Sequence, residues 1–165
     1  MSVIINPYSD ELARRFETEE KRLRVILGND VSIEHIGSSA VGIGGKNIVD
    51  ILIGVKGTEE MDSTRDKLVE NGYYEGNDSH EDRIFMASRK EETGEGDCHI
   101  HICLIGSEVY SDFLRLRDYL RANPEIAKEY LEMKQLFAER AGFDRKKYKA
   151  LKSKYVAGLL KKARK

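Results

Sequence analysis

Residues 34–50 read EHIGSSAVGIGGKNIVD, and residues 51–55 continue as ILIGV. Residues 31–36 (VSIEHI) form a short strand-like run that stops at Gly37-Ser38-Ser39, so a strand ends there in a tight turn. A stretch of small residues, 40–45, leads into residues 47–55 (NIVDILIGV), which are apolar on both faces except at Asp50. Such a continuous apolar run predicts a central strand covered on both sides. Glycine lets backbone N–H groups come close to an anion, and a serine hydroxyl adds a donor. A short helix starting at Ser38 or Ser39 would point its first N–H groups at a phosphate, and Lys46 would add a point charge. The spacing is not that of a Walker A loop, and a Gly-Ser pair after a strand also serves as an ordinary turn. Asp50 adds weight, because a carboxylate inside a buried strand is costly unless it is paired or holds a metal.

A second cluster lies on residues 97–105 (DCHIHICLI), another central strand by the same reading. Asp97, His99 and His101 alternate, which in a strand places all three on one face. Two imidazoles and a carboxylate could ligate a metal, orient a phosphate or move protons, and one histidine could equally be a structural residue. Arg83 opens a strand over 83–88 and could clamp a phosphate or neutralise Asp50. His80, among acids in a loop, reads as surface. Cys98 and Cys103 are an odd number of residues apart, hence on opposite faces, so no disulfide is expected and the chain suits a reducing, cytoplasmic setting.

The remaining segments read as helices and turns. Leu12, Phe16, Leu23 and Leu27 recur at helical spacing between Ser9, a candidate N-cap, and Gly28. Thr58 can cap a helix ending near Asn71-Gly72, and residues 91–96 form a turn. From Ser107 onward the pattern is helical, with Asn123-Pro124 starting a second helix and Asp144 capping a third. Leu151, Tyr155 and Leu159 form the apolar stripe of that last helix. The fold class is therefore α+β: one domain over 1–165, a mixed sheet at about 30–105 packed against an N-terminal helix, and a helical bundle over 107–163.

The chain has 165 residues, with 28 basic and 29 acidic side chains and 40% apolar residues, enough for one buried core. No apolar run approaches the roughly 18 residues of a membrane span, and the N-terminus lacks a signal-peptide core, so neither membrane nor export is expected. The net charge of −1 conceals a polarised chain: residues 140–165 carry +10, leaving −11 for residues 1–139. This tail reads as a solvated helix balanced by the acidic body, or as an attractor of phosphates or nucleic acid. No aromatic-interleaved RNA motif accompanies it, so nucleic acid ranks behind small phosphorylated ligands.

The 34–55 stretch, Gly72-Tyr73, Arg83, His99-Ile100-His101, the run LRLRDYLRANPEIAKEYLEMKQLFA and Tyr148–Lys152 together resemble the GrpB family over nearly the whole chain. That family is similar in fold to polymerase-β-type nucleotidyltransferases. The resemblance implies a mixed sheet, a Gly37-Ser38 turn that holds nucleotide phosphates, and Asp50 as a metal-binding carboxylate. Related domains fused to a coenzyme A biosynthetic kinase also imply a CoA-like ligand as an alternative. Three departures matter, one being the absence of the tryptophan frequent near the N-terminus in that family. Active nucleotidyltransferases usually carry two acids one residue apart on this strand, and here Ile48 and Leu52 flank Asp50. Val-Gly-Ile also replaces the Val-Pro-Gly common after the serine.

The expected function is accordingly metal-dependent nucleotidyl transfer to an unknown acceptor. Gly37, Ser38, Ser39, Lys46 and Arg83 would bind the triphosphate. Asp50 and Asp97 would hold Mg²⁺, and Asp50, His99 and His101 would serve catalysis. The alternative is a non-catalytic regulatory module that binds a nucleotide or another phosphorylated metabolite in the same cleft.

Overall fold

A computed structural model describes residues 3–77, 79–88 and 97–165; the turn expected over 91–96 lies outside these. The first helix, α1 (Glu11–Leu27), stops where Gly28 takes a φ of +80°, with Leu12, Leu23 and Leu27 buried as the spacing requires. Its N-cap position is Asp10 rather than Ser9, although the Ser9 hydroxyl still accepts from the Glu11 N–H. Strand β1 (Ser32–Ile36) runs directly into the short helix α2 (Gly37–Val41). Strand β2 (Val49–Val55) follows, then α3 (Thr58–Glu70), whose N-cap position is Gly57. A two-residue strand, β3 (Tyr74–Glu75), was not legible in the sequence, being too short for any alternation to register. Next come β4 (Arg83–Ala87) and β5 (Cys98–Leu104).

Three helices complete the chain. These are α4 (Glu108–Ala122), α5 (Pro124–Arg140), started by Pro124, and α6 (Arg145–Ala163). The Asp144 carboxylate caps α6 by accepting from the Lys147 N–H at 2.9 Å.

The five strands form one mixed sheet in the order β1-β2-β5-β4-β3. Only β2 and β5 run parallel, and they lie at its centre, flanked by antiparallel β1 and β4. Alternation sorts their side chains onto two faces. Val49, Ile51, Ile53, Cys98, Ile100 and Ile102 bury one face with the apolar stripes of α1 and α3. Each valine and isoleucine among them contributes about 1.5–3 kcal/mol when fully buried. On the other face, Leu52 and Cys103 pack with Ile36 beneath Val109, Tyr110, Phe113 and Leu114 of α4. The two cysteines are thus free, buried and on opposite faces, as their spacing requires. No helix among the described residues is long and apolar enough to cross a membrane.

Candidate functional site

The α4 face of the sheet is not filled to its end. Leu52 is fully buried, but the next residue on that face toward the strand's start is Asp50, only partly exposed. Register places Ile36 on one side of Asp50 and His99 on the other. The backbone then turns at Gly37 with φ +76°, and a Cβ at that position would stand 2.6 Å from Asp50 Oδ2. Glycine is therefore required twice over, for the left-handed backbone and for the close approach of the carboxylate. His99 Nδ1 lies 3.7 Å from Asp50 Oδ1, beyond hydrogen-bonding reach. Burial lowers the His99 pKa, with Asp50 working in the opposite direction. His101 sits between aromatic rings, 5.3 Å from Phe85 and 4.8 Å from Phe113 by centroid.

A cavity of about 860 Å³ opens over this end of the sheet. It is lined by Gly37, Ser38, Ser39, Lys46, Asp50, Arg83, His99 and His101, so eight of the nine residues expected at the site converge there. Asp97 does not. The β5 ladder begins at Cys98, and Asp97, one step before it, departs from the alternation that would align it with His99. Its carboxylate accepts from the Ser88 hydroxyl at 2.7 Å and pairs with Arg15 of α1 at 3.9 Å. It lines a separate hollow with Val49 and Cys98, which belong to the other face of the sheet. Asp50 and Asp97, expected to share a metal, thus line different hollows. Glu34 is likewise committed, accepting from Arg117 at 2.6 Å.

Ser38 and Ser39 are turned to different partners. Ser39 is buried and its hydroxyl is 2.7 Å from His35 Nε2, while the His35 ring stacks on Phe16 at 4.3 Å. Burial first, then Arg121 and Arg117, push the His35 pKa down to about 4. Ser38 accepts from Lys134 of α5 at 2.6 Å, and the same Nζ donates to the Gly44 carbonyl at 2.6 Å. Lys134 is only 1% exposed. Burial, reinforced by Lys152 and Lys46 and opposed by Asp50, lowers its pKa to about 7. Sequence reasoning missed this residue. The signal was present, since Lys134 interrupts the buried stripe Ala127, Tyr130, Phe137, Ala138 of α5.

Of the two readings of the basic tail, the structure bears on the one in which it faces a cleft. Arg145, Lys149, Lys152 and Val156 fall on one face of α6, and that face lines the cavity along with Lys146. Including Lys46, Arg83, Arg117 and Lys134, eight basic side chains among the described residues line the cavity with one carboxylate, Asp50, and Arg117 is itself paired with Glu34 and Asp118 outside the lining. Crowding of like charges shows in Lys46: burial, then Lys152, Arg145 and Lys149 bring its pKa down to about 8 against the pull of Asp50. The arrangement can bind an anion of several charges. It offers little to Mg²⁺, because Ile48 and Leu52 flank Asp50. No cluster of three His, Cys, Asp or Glu side chains among the described residues is placed to hold a metal.

Comparison with known proteins bears on the family and the fold. Glutamate-rich protein GrpB of Alkalihalophilus pseudofirmus is 30% identical over 168 residues, covering 96% of this chain and 94% of that protein. The crystal structure of GrpB from Enterococcus faecalis superposes with a TM-score of 0.83 at 29% identity, over 97% of this chain and 96% of that one. A mutant Cid1 poly(U) polymerase bound to MgATP matches with a TM-score of 0.52 at 16% identity, over 79% of this chain and 45% of that one, a likeness of fold. The family model for GrpB protein matches residues 2–162, and the chain belongs to the GrpB family.

Proposed function

We propose that this chain is a binding module for a polyphosphorylated small molecule of the nucleotide class. The observation that carries the reading is the excess of basic side chains over one carboxylate, Asp50, among the described residues that line a cavity of about 860 Å³. That volume falls within the range of about 300–1,000 Å³ usual for small-molecule sites. The turn at Gly37-Ser38, fixed on α5 by Lys134, lines the cavity together with Lys46. Arg83 reaches the cavity from β4, and its guanidinium carbon lies 6.0 Å from the centre of the Phe113 ring. Phosphate oxygens bound here would meet charge-assisted donors from the sheet and from α6. The nucleotidyltransferase-like fold, and a neighbour bound to MgATP, support a nucleotide as the ligand. A cytosolic nucleotide pool and two buried thiols are consistent with residence there.

Nucleotidyl transfer is the second reading, favoured by Asp50 lying against the turn. A two-ion mechanism needs acids for both ions, and the residues flanking Asp50 do not supply them. Thermal-shift titration with ATP, ADP, coenzyme A and inorganic tripolyphosphate tests the binding reading. Stabilisation by any of these, without pyrophosphate release from ATP, is the expected result. Turnover of ATP abolished by Asp50→Ala would instead establish the transferase, and no stabilisation by any probe would overturn both.

A further inference from the structure

The charge around the Gly37-Ser38 turn is arranged in a way that bears on how a ligand would be held. The turn lies between one carboxylate and one ammonium group. Asp50 Oδ2 occupies the space a Cβ on Gly37 would need, and Lys134 Nζ bonds Ser38 on the α5 side. Lys134 is not a surface lysine that happens to reach inward. Its ammonium also donates to the Gly44 carbonyl, tying together the two ends of the 38–44 segment. It also sits 4.9 Å from the centre of the Tyr130 ring. A Cβ on Gly45 would come within 3.4 Å of Nζ and 3.2 Å of Ser38 Cβ, so the loop closes tightly around the amine. Burying an ammonium costs stability, and two hydrogen bonds offset only part of that cost. Lys46 and Lys152 stand near enough to be felt electrostatically, which makes the amine harder still to protonate in the empty site. An anion of several charges arriving at the turn would relieve all three at once.

Resting on the phosphate-site reading above, we propose that the polyphosphate is bound without a divalent cation. Lys134, locked between Ser38 and Gly44, acts with Lys46 and Lys152 as the built-in counter-charge. Positive charge at the turn is then supplied by a residue of the fold, in the middle of α5, which gains its proton as the anion arrives, rather than by an ion recruited with the ligand. Ile48 and the fully buried Leu52 give a second metal-binding acid no place beside Asp50. A dication would also approach against several like charges.

Isothermal titration of the full chain with inorganic tripolyphosphate, in excess EDTA and again in MgCl₂, tests this directly. Binding in EDTA at least as tight as with Mg²⁺ is expected. Lys134→Gln keeps a hydrogen-bonding side chain but removes the charge, and should weaken binding by about tenfold or more, with melting temperature and circular dichroism reporting its fold. Binding that requires Mg²⁺, or a tenfold loss of wild-type affinity in EDTA, would overturn the inference and leave the phosphate-site reading standing. An unchanged affinity in a folded Lys134→Gln chain would overturn it as well. No binding in either buffer would remove both. The EDTA comparison uses the wild-type chain, so it holds even if the variant does not fold.

Discussion

Lys134 Nζ lies 2.6 Å from the Ser38 hydroxyl, joining the middle of α5 to the turn that closes β1 across 96 residues of sequence. This bond makes the helical bundle part of the site and not merely its cover. The sheet supplies the turn and the carboxylate, while α5 and α6 supply most of the positive charge.

The approach of Asp50 to Gly37 leaves no room for a side chain. Gly37→Ala must place a methyl 2.6 Å from Asp50 Oδ2 and also hold φ at +76°. A loss of about 1–3 kcal/mol in urea denaturation is expected. Wild-type stability in this variant would mean that the carboxylate does not rest against the turn.

Charge on α6 should control affinity more than stability. The double substitution Lys149→Glu and Lys152→Glu is expected to weaken tripolyphosphate binding by about tenfold to a hundredfold and to flatten its salt dependence. The double substitution Lys161→Glu and Lys162→Glu, on the same helix but outside the cavity lining, is the control matched in net charge. Equal losses in both would point to diffuse attraction instead of a site.

Burial and the neighbouring Arg121 and Arg117 hold His35 near a pKa of about 4, against 6.5 unfolded. Between these values the unfolded chain binds more protons, so stability is full above pH 6.5 and falls as pH drops toward 4. Because His35 contacts both Ser39 and Phe16, this loss should begin at the α2 turn. His35→Gln is expected to reduce the slope of unfolding free energy against pH across that window. An unchanged slope would assign the acid sensitivity to other groups.

Restoring the absent acid is a gain-of-function test. Ile48 and Asp50 both line the cavity two residues apart. Ile48→Asp is expected to give Mg²⁺-dependent thermal stabilisation that the wild type lacks. If the wild-type chain is stabilised by Mg²⁺ to the same degree, Asp50 already holds the ion with partners other than an acid on its strand.

The sheet and the turn were legible because their signals are local. Residues 47–55 announce a central strand by composition alone, and Gly37-Ser38 follows β1 without interruption. Asp50 was conspicuous as one polar residue in an apolar run. Asp97 misled because strand alternation was extended one residue past the first ladder pair, where Arg15 and Ser88 take the carboxylate the other way. Lys134 and the α6 lysines belong to helices packed from far along the chain. Their spacing shows which side chains share a face, but not what that face will meet. A lysine interrupting a buried apolar stripe, as Lys134 does in α5, was the one local clue to the bundle's role.

The most direct test of the phosphate site is a crystal structure of the chain with a non-hydrolysable ATP analogue in metal-free buffer. Phosphate density within hydrogen-bonding distance of the Gly37-Ser38 turn, contacted by Lys46 and by lysines of α6, is the expected result. An analogue bound elsewhere on the surface, with the cavity holding only solvent, would contradict it.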